Sequence, residues 1–314
     1  MSNTEKYVIF HIDGGTGKNI VATAVCTSIK AAYPDRKLIV VTAWPEVFLH
    51  NPDIHRVYRF GYLPYFYEDF IKDKDTKIFR TEPYHTEDIL YRRKHLSEIW
   101  CDLFGIPCVT KQPVLYPTQR ELMFTERSIQ KEGPILLVQS SGGAEQQGHA
   151  YSWSRDLPPM FAQEVVDSVK DQFSKVLQVR RDNQPAIEGA VQVSDNVRNL
   201  LMVVPFADKI LGIDSLIQHA AAAYKKPAVV GWIANSPTVF GHDMHTNIEP
   251  VEQRSFRHFI DSYLEESDWV GSRFHECPYD DVNKIFDKDQ FVEALMGSKS
   301  GELLFDMPDT SIVV

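Results

Sequence analysis

Three groups of residues in this chain of 314 amino acids have the types and spacing needed to bind anions or move protons. The first is a glycine-rich turn, Asp13-Gly14-Gly15-Thr16-Gly17-Lys18, which follows the apolar run Tyr7–Ile12 and precedes a helical pattern over Asn19–Ala32. Glycines let the backbone approach a ligand closely, and the start of a helix presents unpaired N–H groups and a positive dipole end. We expect the three glycines of this turn to contact a phosphate group.

Two known phosphate-binding sequence motifs resemble this turn, but the turn matches neither of them. A P-loop requires a glycine at position 12 and Ser or Thr at position 19, where this chain has Ile12 and Asn19. A dinucleotide-binding fingerprint requires a third glycine where this chain has Ile20. A purely structural turn remains the alternative to anion binding.

The second group lies in the second half of the chain, in the turns that follow two strand-like runs. Asp214 follows the run Lys209–Ile213, Ser215 is placed to cap the next helix, and His219 falls on the same helical face four residues later. Ligands of open α/β sheets bind at the carboxyl ends of the strands. The local pattern alone slightly favours capping and packing over binding. A second polar turn of this kind, after Ile135–Gln139, contains Ser140, Ser141 and Gly142.

The third group combines aromatic and basic residues of the first half. The segment Tyr58–Phe70 holds seven aromatic residues without a regular period, and aromatic faces stack on sugars and nucleobases. Tyr62 and Tyr65 are therefore candidate contacts of a sugar or a base, with a domain-packing cluster as the alternative. Arg92 and Arg93 fall on a helix predicted over residues 88–104, where they form a solvated face or contact a phosphate group of a ligand.

Strand-like and helix-like segments alternate along the chain in two blocks, which predicts an α/β fold with two doubly wound, Rossmann-like domains. A polar, charged stretch over residues 117–133 separates the blocks. We therefore predict an N-terminal domain over residues 1–130 and a C-terminal domain over residues 131–314. The latter includes an acidic, helical extension from His245 onward.

Composition limits the classes to which the chain can belong. Hydrophobic residues make up 43% and charged residues 24%, which excludes a mainly disordered or coiled-coil chain. The net charge of −10 arises after residue 240, so it excludes no polyanionic partner of the remaining body. No apolar run is long enough to span a membrane, and the four cysteines match no zinc-binding spacing. We expect a cytoplasmic protein without metal or cofactor.

Two long segments resemble glycosyltransferase family 9, the ADP-heptose:lipopolysaccharide heptosyltransferase family. They are the segment from Gly15 through Thr42, followed by Asn51-Pro52-Asp53, and the segment from Ala207 through Trp232, followed by Ser236-Pro237. The stretch Trp153–Phe161 resembles the family's basic, aromatic and proline segment, with Arg155 in the place of the usual lysine. The resemblance implies a GT-B fold of two facing Rossmann-like domains. It also implies that the second domain holds a nucleotide sugar and the first holds the acceptor, which makes Tyr62, Tyr65, Arg92 and Arg93 candidate acceptor contacts.

The chain departs from the family where the catalytic base is expected. The family has a glycine–aspartate pair at the start of the first helix, whereas this chain has Gly17-Lys18. A lysine serves as a base only if its pKa is driven far down. Asp13 is a substitute carboxylate on the same turn and our predicted base, and Lys18 is predicted to hold an anion of donor or acceptor.

The resemblance implies an inverting, metal-independent transfer of a sugar from a nucleotide diphosphate donor to an acceptor hydroxyl. The leaving diphosphate would contact Arg155, the helix start after Asp214, and the turns at Gly14–Gly17 and Ser140–Gly143. His219 would orient Asp214 or contact a phosphate.

The acceptor and the activity itself leave alternatives open. A saccharide of the lipopolysaccharide type follows from the family, and hydroxymethylated DNA bases of phages are an alternative acceptor. A protein that binds nucleotide sugars without catalysis is the rival from another class, and a P-loop-like kinase is a more distant one.

Overall fold

The computed structural model describes residues 4–142, 151–252, 277 and 279–297. Two parallel sheets organise these residues. The first has the strand order β3-β2-β1-β4, and all its paired strands are parallel. Its strands are β1 (Lys6–Ile12), β2 (Lys37–Thr42), β3 (Ile54–Arg59) and β4 (Asp75–Phe79).

The second sheet has the strand order β10-β9-β8-β5-β6-β7, again with every pair parallel. Within each sheet, the carboxyl ends of all strands therefore lie along the same edge. The strands are β5 (Ile135–Val138), β6 (Lys175–Val179), β7 (Val191–Val193), β8 (Lys209–Ile213), β9 (Val229–Gly231) and β10 (Thr246–Ile248).

Helices connect the strands and cover the sheets, as parallel strand connections require. They are α1 (Thr16–Ala32), α2 (Phe66–Phe70), α3 (Glu87–Leu90), α4 (Leu96–Phe104), α5 (Gln119–Ile129), α6 (Pro159–Val169), α7 (Val197–Val203), α8 (Leu216–Ala223), α9 (Pro237–Phe240) and α10 (Lys288–Gly297).

One apolar core runs through both halves of the chain. It extends from Phe10 and Ile20 in the first half to Ile217 and Trp232 in the second. Helix α1 packs directly on α8, so the element after β1 and the element after β8 meet across the two sheets. The predicted fold class, an α/β protein with two parallel-sheet units, is confirmed.

The structure corrects two expectations about individual elements and adds one helix that the sequence pattern did not indicate. Residues 88–104 do not form one helix, because Arg92 adopts a left-handed backbone (φ 54°) and His95 starts α4 with a capping box. The polar stretch over residues 117–133 contains α5, whose start is capped by Thr118 and Glu121. Residues 246–248, predicted to be helical, form strand β10.

Helix α5 lies before the predicted boundary at residue 130 but packs on α7 of the second half. Arg198 of α7 is buried and donates hydrogen bonds to both carboxylate oxygens of Glu121, from Nε (2.7 Å) and Nη2 (2.9 Å). The domain limits themselves stay a prediction. Of the predicted acidic extension, α10 is described, whereas residues 253–276, 278 and 298–314 lie outside the described part.

Candidate functional site

The starts of α1 and α8 meet at a point where only glycine fits. A Cβ placed on Gly17 would lie 2.8 Å from Cδ2 of His219 and 3.8 Å from the backbone nitrogen of Leu216. Gly17 is in the first turn of α1 and Leu216 is the first residue of α8. Two helix N-termini from different halves of the chain therefore converge, and both carry the positive end of a helix dipole.

Asp13, the predicted base, follows β1 at the carboxyl edge of the first sheet. Its side chain is 52% exposed, and its Oδ2 lies 3.7 Å from Nδ1 of His11 and 3.9 Å from an Nη of Arg80. Burial lowers the pKa of His11, and the charge of Asp13 opposes that shift. The ring of His11 contacts the ring of Phe60, with centroids 5.1 Å apart.

Lys18 is paired with a carboxylate that sequence analysis did not single out. Its Nζ donates to Oε1 and Oε2 of Glu82 at 2.7 and 2.6 Å, and lies 4.3 Å from the ring centroid of Tyr84. Burial lowers the pKa of Lys18, and Glu82 opposes this change. In this arrangement the anion held by Lys18 is a side chain of its own protein, and a direct role toward donor or acceptor stays a prediction.

Asp214 lies at the carboxyl end of β8, as predicted, with its side chain only 12% exposed. The Nδ2 group of Asn235 donates a hydrogen bond to Asp214 Oδ2, and Nε2 of His219 lies 3.8 Å from Oδ1. Burial raises the pKa of Asp214, whereas the charge of Arg155 lowers it. Asp214 is therefore within electrostatic reach of Arg155, and the ring of His219 lies beside it.

Arg155 packs against the turn that follows β5. A Cβ on Gly142 would lie 2.7 Å from Cδ of Arg155. The neighbouring Asp156 is buried, and its carboxylate accepts hydrogen bonds from the backbone N–H groups of Gly142 (2.7 Å) and Ser152 (2.9 Å). Because Asp156 ties the two loops together, Arg155 is held beside Gly142.

The start of α8 is capped from a neighbouring strand end. Ser215 occupies the N-cap position, but its hydroxyl makes no capping hydrogen bond, which corrects the expectation that it caps the helix. Instead, Oε1 of Gln139 accepts a hydrogen bond from the N–H of Ile217 at 2.9 Å. The predicted Ser140 and Ser141 follow Gln139 and are buried, and Oγ of Ser140 accepts a hydrogen bond from Gln178 at 3.2 Å.

His219 belongs to a cluster of four buried histidines at the junction of the two halves. Its Nδ1 lies 3.0 Å from Nε2 of His242, whose ring contacts the rings of His245 (5.5 Å) and His95 (5.7 Å). Burial lowers the pKa of each: to about 3 for His219, to about 4 for His95 and His245, and well below its usual value for His242. The cluster is therefore uncharged at neutral pH.

The predicted acceptor residues separate into two places. Tyr62 and Tyr65 are 74% and 77% exposed on the surface that follows β3, while Tyr58 of the same aromatic segment packs inward. Arg92 reaches the second half, where its Nη2 donates to the carbonyl of Ala234 at 3.1 Å. Arg93 instead lies near Glu87 at the surface, with its guanidinium 4.7 Å from the ring centroid of Tyr91.

Glu82 and Asn235 are the site residues that sequence reasoning missed. Each follows a strand of a parallel sheet, β4 and β9 respectively, so a search of every strand end would have found them. The strand preceding Glu82 is short and partly exposed, and it gave no clear apolar run. Asn235 stands directly before Ser236-Pro237, which the resemblance had already marked.

The described residues contain no helix that combines the length and apolarity needed to cross a membrane. They also contain no group of three His, Cys, Asp or Glu side chains arranged to hold a metal ion.

No protein-family model matches the chain, and no curated protein sequence matches it. Solved structures do match it. A glycosyltransferase family 9 protein from Veillonella parvula has a TM-score of 0.63 and 12% identity over 95% of this chain and 99% of its own. The heptosyltransferase TibC, described as dodecameric, iron-containing and in complex with ADP-D-β-D-heptose, has a TM-score of 0.66 and 12% identity over 94% of this chain and 76% of its own.

The Escherichia coli ADP-heptose lipopolysaccharide heptosyltransferase II has a TM-score of 0.55 and 12% identity, covering 83% of this chain and 97% of its own. At 12% identity, the similarity of these structures to this chain is evidence for a shared fold alone. The chain therefore has the GT-B fold of glycosyltransferase family 9 structures, as the sequence resemblance implied.

Proposed function

We propose that this protein is a glycosyltransferase that moves a sugar from a nucleotide diphosphate donor to a hydroxyl group of a saccharide acceptor, with inversion and without a metal ion. One observation carries the proposal. The starts of α1 and α8 converge at Gly17 and His219, at the carboxyl edges of two parallel sheets. Convergent helix N-termini stabilise the charge that develops on a leaving diphosphate.

The second half of the chain is the proposed donor side. Arg155 lies beside Gly142 and within electrostatic reach of Asp214, at the ends of β5 and β8. A charge-assisted hydrogen bond from the guanidinium to a phosphate oxygen is strong and directional. Asp214, fixed by Asn235, is placed to accept hydrogen bonds from sugar or ribose hydroxyls.

The acceptor side is the first half. The exposed rings of Tyr62 and Tyr65 follow β3, and the ring of Phe60 lies against His11, close to Asp13. Exposed aromatic rings next to a carboxylate suit a sugar, because the ring stacks on its apolar face while the carboxylate accepts from its hydroxyls. The three compared structures are described as heptosyltransferases or as a family 9 glycosyltransferase, which supports a saccharide acceptor over DNA.

The reaction requires a base near the attacking hydroxyl. A carboxylate of the first half acts as this base, and Asp13 is the carboxylate that the sequence pattern predicts for the role. General-base catalysis contributes roughly 10²–10⁴-fold to the rate. Inversion follows from a single displacement, in which the acceptor oxygen attacks the anomeric carbon from the side opposite to the diphosphate.

The test is incubation of the purified protein with a panel of nucleotide sugars and with lipopolysaccharide-type saccharide acceptors, followed by mass spectrometry. Transfer of one sugar residue, with release of one nucleoside diphosphate, is the expected result. Binding of a nucleotide sugar with neither transfer nor hydrolysis would favour the non-catalytic rival. Failure to bind any nucleotide sugar would rule out both.

A further inference from the structure

We propose that Glu82 is the carboxylate that takes the proton of the acceptor hydroxyl, and that Lys18 is the residue that positions it. The inference deepens the proposed function and rests on it. It replaces Asp13 by a carboxylate whose place and hydrogen bonds the sequence pattern did not reveal.

Glu82 stands where the two halves of the chain face each other. It caps the short 3-10 helix Pro83–His85, and the ring of Tyr84 in that helix contacts the ring of Phe240 in α9, with centroids 5.8 Å apart. Its partner Lys18 follows Gly17, the residue that touches His219. The Lys18–Glu82 pair therefore lies beside the junction where the starts of α1 and α8 converge.

The two members of the pair differ in exposure. The side chain of Lys18 is 3% exposed, whereas that of Glu82 is 33% exposed. The ammonium lies between the carboxylate and the rings of Tyr84 and Trp100, at 4.3 and 5.5 Å from their centroids. A substrate entering from solvent therefore reaches the carboxylate and not the lysine.

Hydrogen bonds fix the orientation of Glu82 and leave one oxygen available. Oε1 accepts from Lys18 (2.7 Å) and from the backbone N–H of Tyr84 (3.1 Å), while Oε2 accepts from Lys18 (2.6 Å). Within the described residues, no further hydrogen bond occupies Oε2. That atom therefore has lone-pair capacity for an acceptor hydroxyl.

Asp13 lacks this preorganisation. The nitrogens nearest to its carboxylate belong to the side chains of His11 and Arg80 and are 3.7 and 3.9 Å away, and no hydrogen bond of at most 3.5 Å to another described residue holds the carboxylate. Catalytic groups must be held close to the productive geometry by their neighbours. On that criterion Glu82 is better prepared than Asp13 to meet a reacting hydroxyl.

The proposed step is balanced without any further reactant. The acceptor oxygen forms a bond to the anomeric carbon of the donor, and the bond from that carbon to the diphosphate oxygen breaks. The electron pair of the broken bond leaves with the nucleoside diphosphate. The hydroxyl proton passes to Oε2 of Glu82, which later releases it to water.

The experiment compares Glu82→Gln, Asp13→Asn and the exposed-site control Glu126→Gln in the transfer assay. We expect Glu82→Gln to lower kcat by about 10²–10⁴-fold with unchanged affinity for the donor, because general-base catalysis has that size. Asp13→Asn should have the smaller effect, and Glu126→Gln should behave as wild type. Glu82→Gln leaves the ammonium of Lys18 buried without its counter-charge, which can make the single variant unstable. In the double variant Lys18→Met/Glu82→Gln neither side chain is charged. The double variant therefore replaces the single one in the assay if the single variant does not fold.

The positioning role of Lys18 has its own measurement, the kinetic constants of Lys18→Met and of the conservative variant Lys18→Arg. Lys18→Met should lower kcat and leave KM for the donor unchanged, because Glu82 loses the two hydrogen bonds that orient its carboxylate. Lys18→Arg can still donate to both carboxylate oxygens and should recover part of the lost kcat. An unchanged kcat in Lys18→Met, or an equal loss in both variants, would overturn the role given to Lys18.

The outcomes separate the inference from the proposed function. If wild type transfers sugar, Glu82→Gln keeps its rate and Asp13→Asn loses it, then Asp13 is the base and the inference is overturned while the proposed function stands. If wild type binds nucleotide sugars and transfers none, the proposed function fails, and the inference fails with it.

Discussion

Gly17 of α1 lies against the imidazole of His219 of α8, so closely that a single methyl group at position 17 would sit 2.8 Å from the ring. His219 is buried and hydrogen-bonded to a second buried histidine, His242, so its ring has little freedom to move away. The contact therefore sets how closely the starts of the two helices approach, and with it the width of the proposed diphosphate site.

The first prediction is that Gly17→Ala destabilises the protein by about 1–3 kcal/mol, the usual cost of forcing extra atoms into a packed core. Urea unfolding followed by circular dichroism measures it. Gly15→Ser is the matched control, because Ser is favoured at the N-cap that Gly15 occupies, Gly15 has an ordinary φ of −75°, and no atom lies within 4 Å of its added Cβ. Equal stability of the two variants would contradict the packing argument.

Much of the architecture could be predicted from sequence, because buried parallel strands read as continuous apolar runs. β1, β5 and β8 are of this kind, and the predicted runs agree with their observed limits to within about one residue. Asp214 and the glycine turn after β1 directly follow such runs. Glu82 follows β4, which is partly exposed and forms no continuous apolar run, and Asn235 lies four residues beyond the end of β9.

The remaining differences have physical causes that no local pattern reveals. The sequence predicts one helix over residues 88–104, yet Arg92 lies between two helices and its guanidinium donates a hydrogen bond to the carbonyl of Ala234, which is distant in sequence. The ammonium of Lys18, which the sequence predicts to hold an anion of donor or acceptor, donates to the carboxylate of Glu82, 64 residues later. Ser215 looked like a helix cap, but Gln139 caps that helix from another strand. Each outcome depends on a long-range contact.

The second prediction concerns the buried histidine cluster. Burial lowers the pKa of His245 from 6.5 to about 4, so the unfolded chain binds this proton more tightly than the folded one between those values. Stability contributed by His245 is therefore present at pH 7 and lost as the pH falls below 6.5, by roughly 2 kcal/mol at pH 5. Urea unfolding of wild type at pH 7 and pH 5 measures the sum over all titrating groups.

His245→Gln isolates the contribution of this one residue. The difference in unfolding free energy between pH 7 and pH 5 should be smaller in the variant, even though the variant is less stable at both pH values. Val166→Ala, which removes buried atoms but no titratable group, serves as the control and should keep the wild-type pH dependence at a lower stability. An identical pH dependence in wild type and His245→Gln would show that His245 is not held uncharged by the fold.

The third prediction is that transfer does not require a divalent cation. The charge of the leaving diphosphate is met instead by Arg155 and by the starts of α1 and α8, as proposed above. The transfer rate in EDTA should therefore match the rate in buffer alone. Loss of transfer in EDTA, with recovery on addition of Mg²⁺ or Mn²⁺, would contradict this expectation.

The last prediction tests the donor side directly, by calorimetric titration with UDP, ADP, GDP and CDP. We expect at least one of these nucleotides to bind and Arg155→Ala to weaken that binding by about 1.5–3 kcal/mol, the value of a hydrogen bond to a charged group. Lys170→Ala is the charge-matched control, because Lys170 is exposed and pairs only with Asp167 among the described residues. If the two variants lose equal affinity, the overall positive charge of the protein surface, and not a contact at Arg155, attracts the nucleotide. If no nucleotide binds at millimolar concentration, the donor site does not lie where we propose it.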